Sequence, residues 1–156
     1  MRRPLAVVIA LVGVAASLVA CTPPTADSTA VDAAVDAWNE AAVEADAGRD
    51  DLLGGSYGQV TEEPEGSLVI LGYTLPTRVT GFEAACIDNG RVEVGWEIRS
   101  GSSYVTGGEI VECTGDPVPI PLESAVSAVD EVRWSVIRRD GSPTAYRSSV
   151  IGESAE

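Results

Sequence analysis

The side chains available for chemistry are few in kind. The chain carries 24 aspartates and glutamates and 10 basic residues, all of them arginine, with three cysteines and no histidine. Without histidine there is no Ser-His-Asp or Cys-His nucleophile system and no ordinary catalytic zinc site. Without lysine there is no Schiff base and no Ser-Lys dyad. Carboxylate chemistry remains. Glu93 and Glu97 share one face of an alternating stretch, as the acid pair of a glycosidase would. The same alternation puts that face toward solvent, which makes them surface glutamates. Asp50-Asp51 and the run Glu62-Glu63-Pro64-Glu65 offer oxygen ligands for Ca²⁺. Their spacing matches no EF-hand loop, so a solvated acidic loop is the expectation. Gly54-Gly55 and Gly107-Gly108 do not stand between a strand and a helix, and read as turn or bulge glycines rather than a phosphate cradle. No catalytic residue, metal ligand or cofactor site is expected. The chain reads as non-enzymatic, with a carboxylate-based hydrolase as an alternative.

The N-terminus carries the most specific signal. Met1-Arg2-Arg3-Pro4 precedes an apolar run from Leu5 to Ala20, interrupted only by Gly13 and Ser17. A charged start and a short apolar run form a signal peptide, below the roughly 20 residues of a spanning helix. The run ends Leu18-Val19-Ala20-Cys21. This resembles the lipobox of bacterial lipoproteins, with an aliphatic residue three before the cysteine and a small one immediately before it. The resemblance covers the first 21 residues. It implies removal of residues 1–20 and a diacylglyceryl thioether on Cys21, followed by palmitate-type acylation chemistry at the membrane. Two acyl chains give stable attachment where one is marginal, at about 0.8 kcal/mol per buried methylene. The implied place is the extracytoplasmic face of the cell membrane. Arginine as the sole base, with abundant Ala, Val and Gly, is high-GC usage, and with the lipobox it suggests an actinobacterial source.

Loss of Arg2 and Arg3 leaves 8 arginines against 24 acids, a formal charge of −16. Nucleic acid, which is bound through basic patches, is excluded as a partner. Anionic headgroups repel the chain as well, so the lipid anchors without electrostatic help. Residues 22–66 hold eleven acids and one arginine, whereas Ser67 to Glu156 hold thirteen acids and seven arginines. The repulsive charge is thus next to the lipid, and the head is expected to stand off the membrane. In an exported chain the two remaining cysteines, Cys86 and Cys113, read as a disulfide. Closing that loop stabilises by about 3–4 kcal/mol in the chain-entropy model.

The elements that position these groups follow from periodicity. Residues 21–27 form a lipid-anchored spacer. Thr29-Ala30-Val31-Asp32 fits a helix start, and Gly48 a stop, giving an amphipathic helix over 28–48. Val31, Val35, Trp38, Ala42 and Ala45 form its apolar face; Asp32, Asp36, Glu40 and Glu44 form an acidic one. Like charges at this spacing oppose an isolated helix, so the apolar face must pack, either on its own domain or on a partner. Residues 49–67 read as an acidic loop. From Leu68 the period becomes two, and a β domain over 68–152 is expected. Val92, Val94, Trp96 and Ile98 alternate with Arg91, Glu93, Gly95, Glu97 and Arg99; Asp88-Asn89-Gly90 reads as a hairpin turn before them. Gly107-Gly108 suggests a bulge, and Asp116-Pro117 opens a Pro-rich edge strand or link to Leu122. Trp96 and Trp134 read as core, Tyr57 and Tyr104 as exposed. Six or seven half-apolar strands must bury their faces against one another, which gives a small antiparallel β-sandwich of immunoglobulin-like architecture preceded by one helix. Immunoglobulin homology is not implied, because Cys113 comes too early. The partner class is an unknown envelope protein or glycan, and the alternative is a subunit of a membrane complex assembled through the helix.

Overall fold

The structure, a computed structural model, describes residues 28–60, 68–142 and 145–154. The expected signal peptide, Cys21 and the expected spacer, and the run Glu62-Glu63-Pro64-Glu65 lie outside the described residues. Eight strands follow one helix, α1 (Ser28–Asp46): β1 (Leu52–Gln59), β2 (Val69–Gly72), β3 (Thr77–Cys86), β4 (Gly90–Ser100), β5 (Ser103–Glu112), β6 (Val118–Val126), β7 (Glu131–Gly141) and β8 (Ala145–Ser154). They form two four-stranded antiparallel sheets, ordered β1-β8-β3-β6 and β2-β7-β4-β5. That is a β-sandwich, and its strand order is that of a jelly roll.

The core is the space between the sheets. Val79, Phe82 and Val150 of the first sheet meet Val92, Val94, Ile98, Val132, Trp134 and Val136 of the second, all of them buried. The period-two apolar positions of β4 and β7 supply the second group, as their alternation requires. Tyr73 packs against this cluster, and burial pushes its hydroxyl up to about 12.

Two expectations are corrected. The segment 49–67 is not loop throughout, because β1 occupies Leu52–Gln59 and pairs with β8 from Leu52↔Ile151 to Gln59↔Ala145. Its sequence, LLGGSYGQ, lacks apolar alternation because its inward positions are small. Leu71 fills the space a side chain at Gly54 would take, and the Tyr146 ring lies against Gly58. The Asp88-Asn89-Gly90 turn does not close a hairpin either. β3 and β4 lie in different sheets, so these residues carry the chain from one sheet to the other. So does the connection at Gly141, between β7 and β8. The two crossovers nest: Gly90 pairs with Gly141, at φ +136° and +70°. A Cβ on either would collide with the other's backbone, at the Asp140 and Asn89 carbonyl oxygens. Glycine is required there by both conformation and space. Only β4 and β5 are consecutive strands within one sheet.

The helix docks on its own domain. Residue Gly48, at φ +85°, follows the last turn, and the Ala47 amide donates to the Val43 carbonyl oxygen at 3.1 Å. This is the left-handed glycine stop. Val35 and Ala42 are buried and Trp38 is half-buried, while Asp32, Asp36, Glu40 and Glu44 are exposed. Ala45 is exposed too, so the buried stripe is narrower than the periodicity predicts. The C-terminal end is held by charge. Arg147 of β8 has a side chain only 8% exposed. It pairs with Asp46 through both Nε, at 3.0 Å, and Nη2, and with Glu83 of β3 at 3.3 Å. Arg49 reaches Glu83 at 2.8 Å and Asp51 at 3.0 and 3.1 Å. Its hydrogen bonds to Asp51 and Glu83 hold its guanidinium pKa above the ordinary range, and Arg49 in turn holds Asp51 below the carboxylate range.

Replacing Arg147 by Met keeps the apolar stem but leaves Asp46 and Glu83 with Arg49 alone. Breaking a buried ion pair from one side costs about 3 kcal/mol. Arg147→Met should therefore lower the stability by about that amount and speed amide exchange over residues 36–46. Urea unfolding and hydrogen–deuterium exchange measure both. Unchanged exchange in α1 would show that the network does not hold the helix.

Candidate functional site

The residues singled out for carboxylate chemistry do not converge on a cleft. Glu93 pairs with Arg139, and Glu97 with Arg133 at 3.7 Å. Both project from the outer face of the second sheet, opposite the buried Val92, Val94 and Ile98. Asp51 is committed to Arg49, and no cluster of metal-ligating side chains forms among the described residues. Cys86 and Cys113 are joined in a disulfide. It links the end of β3 in one sheet to the residue following β5 in the other. Trp134 is core, and Trp96 faces inward but is only half-buried; Tyr57 and Tyr104 are exposed as expected, Tyr57 at an outward position of β1 rather than in a loop.

What the structure adds is a groove between β5 and β6. Each is the edge strand of its sheet, and both lie on the same side of the sandwich. The continuous register of β4 with β5 sets Val105, Gly107, Glu109 and Val111 opposite Ile98, Trp96, Val94 and Val92, the buried face of β4. All four therefore point inward. Yet Val111 alone is buried; Val105 is 40% exposed, and Gly107 and Glu109 are exposed too. The two sheets splay apart along β5, and its inner face looks onto β6 across open space. Val118, Ile120, Leu122 and Val126 line the other wall, and Trp96 forms the floor. The groove encloses about 1040 Å³, at the upper end of the range for small-molecule pockets.

The expected bulge at Gly107-Gly108 is absent, since Trp96↔Gly107 and Gly95↔Gly108 keep register. The glycine serves the tryptophan instead. A Cβ at Gly107 would lie 2.6 Å from Trp96 Cζ2, so the indole leans over the bare backbone. Its ring stacks on Phe82 with centroids 5.0 Å apart. The Trp96 ring is thus fixed between a core phenylalanine and a glycine of β5.

The carboxylates lining the groove are Glu109 and Glu123, and its lining contains no arginine, cysteine or aromatic hydroxyl. The arrangement offers apolar contact, two negative charges, an indole and the hydroxyls of Thr106, Ser124 and Ser127. The sequence does contain a sign of this site. β5 reads Ser-Tyr-Val-Thr-Gly-Gly-Glu-Ile-Val-Glu, with a charge and a glycine at inward positions where a closed sandwich requires apolar residues.

No family model matches the sequence, and no curated protein matches it. One solved structure to which it is similar is that of the Drosophila NLP core, described as providing insight into pentamer formation and histone binding. The identity is 13% and the TM-score 0.37, covering 65% of this chain and 100% of that one. A likeness that slight leaves the function of this chain to be argued from its own residues.

Proposed function

We propose that this chain is a lipid-anchored binding module of the extracytoplasmic face of the cell membrane, which takes an envelope protein or glycan in the β5–β6 groove. The lipobox-like Leu18-Val19-Ala20-Cys21 supports the anchor. The groove carries the binding reading: inward positions at Val105, Gly107 and Glu109 are left open to solvent, beside a held tryptophan. The carboxylate-hydrolase reading loses ground, because Glu93 and Glu97 are paired with arginines and face away from the groove. Assembly through the helix loses ground too, because Val35 and Ala42 are already buried.

Cys21→Ser should move the protein from the membrane fraction to the soluble fraction and abolish incorporation of a labelled acyl chain. An undiminished membrane fraction would overturn the anchor. In intact cells, a photo-crosslinking residue at Val105 should give adducts that the same residue at Asp36, on the exposed face of α1, does not. Equal yields would count against the groove.

A further inference from the structure

The four sheet edges are not alike. β2 has only four residues. β1 carries three glycines and packs with α1. β6 contains Pro119 and Pro121, two residues apart and so of the same parity. A proline is tolerated in a ladder where its missing N–H would point away from the partner strand, so these two strip donors from the free edge of β6. β5 has none of these protections. It runs ten residues, nine of them exposed, with neither proline nor bulge in its register with β4. A long, regular edge without proline or bulge is a template for another strand, and the inward charge of Glu109 restricts which strand can pair there.

From this edge and the adjoining groove we infer that β5 is the docking edge for an extended, basic polypeptide segment of a partner, which adds a strand to the second sheet and turns alternate side chains into the groove. This rests on the reading of the groove as a binding site and narrows its ligand from protein or glycan to polypeptide. Strand addition supplies affinity through main-chain hydrogen bonds, and the pockets beside the edge supply specificity. Here those pockets are the apolar wall of Val118, Ile120 and Leu122, and the carboxylates of Glu109 and Glu123. No basic residue lines the groove. The complementary segment therefore carries both apolar residues and arginine or lysine among the alternate positions that face the groove. A second copy of this chain does not fit that description, because each copy carries a net charge of −14. Nor does the segment 61–67, which is outside the described residues and holds three acids and no base.

The test uses the full lipidated protein in phosphatidylcholine nanodiscs, whose zwitterionic surface does not attract a basic peptide. Four octapeptides serve as probes: a repeat of Val-Thr-Arg-Thr, which sets Val and Arg on one face, the same with Asp for Arg, and the Val/Arg peptide with alternate backbone nitrogens methylated in each of the two registers. A hexamer of N-acetylglucosamine is the fifth probe. The Val/Arg peptide should bind, weaken with added salt, and lose about tenfold or more in affinity to Glu109→Arg combined with Glu123→Arg. That variant keeps the core intact, which its unfolding curve verifies, and should gain affinity for the Val/Asp peptide. The methylated peptide should not bind in at least one of its two methylation registers. Binding of both methylated registers as tight as that of the unmethylated peptide would overturn strand addition. Binding of the saccharide but of no peptide, abolished by the same variant, would overturn the polypeptide ligand while leaving the groove a binding site. Absence of binding by every probe would overturn the inference, and the Val105 crosslinking in cells would then decide the groove separately.

Discussion

Trp134→Ala should destabilise the domain by about 3–5 kcal/mol, the cost of removing a large aromatic side chain from a closed core. Trp134 is 1% exposed and lies on β7 between its pairing partners Val69 and Trp96. Its indole Nε1 donates to Ser148 Oγ of the opposite sheet at 2.8 Å, and Ser148 Oγ lies 3.4 Å from Ser56 Oγ of β1. One residue therefore fills the middle of the sandwich and ties the sheets by a buried polar bridge. Trp134→Phe separates these parts. It keeps most of the apolar bulk and removes the donor, and its cost should be only about 1–3 kcal/mol, that of an imperfectly satisfied buried hydroxyl. Urea unfolding of the two variants measures both. If Phe proves as damaging as Ala, the hydrogen bond to Ser148 rather than the packing of the ring dominates.

The second large effect is expected from Cys86→Ala with Cys113→Ala. The sulfurs close a separation of 27 residues, worth about 3–4 kcal/mol through the entropy of the unfolded chain. Replacing both together avoids leaving a free thiol. The loss should also have a location. Cys113 begins the passage from β5 to β6, and its neighbour Gly115 donates its amide to the Cys86 carbonyl oxygen at 3.0 Å. Exchange of amides in residues 113–117 and in β5 should rise before that of β3 or β8. A uniform rise across all strands would mean that the disulfide acts only through the unfolded state.

Much of this fold could be read from residue order, and the exceptions have physical causes. β4 is legible because its two faces differ chemically: Val92, Val94 and Ile98 are buried, while Glu93 and Arg99 are partly exposed. The disulfide is legible from a cysteine count. β1 is hidden because Gly54, Ser56 and Gly58 face a wall already filled by Leu71 and Tyr146, so the strand needs no apolar pattern of its own. Asp88-Asn89-Gly90 looks like a hairpin turn because the chain needs the same left-handed residues whether it returns within a sheet or crosses to the other. Asp88 takes φ +73° and Gly90 φ +136° in the crossing. The groove is the least legible feature. The parity of Val105, Gly107 and Glu109 is fixed by the hairpin with β4, but their exposure depends on how far the first sheet extends beneath them. Glu109 and Gly107 at inward positions hint at the opening, but its extent is a property of long-range packing.

The strand order also dictates when this domain can fold. β8 stands between β1 and β3 and is the last strand in the chain, while β1 is the first. Until Ala145–Ser154 has been synthesised, the first sheet lacks the member that joins its parts. Before then only α1 and the β4–β5 hairpin can form from neighbouring residues. Nearly every other pairing spans a long stretch of chain, and such topologies condense slowly because loop closure must precede the contacts that reward it. A nascent chain of this protein thus gains its sandwich only when the final strand arrives.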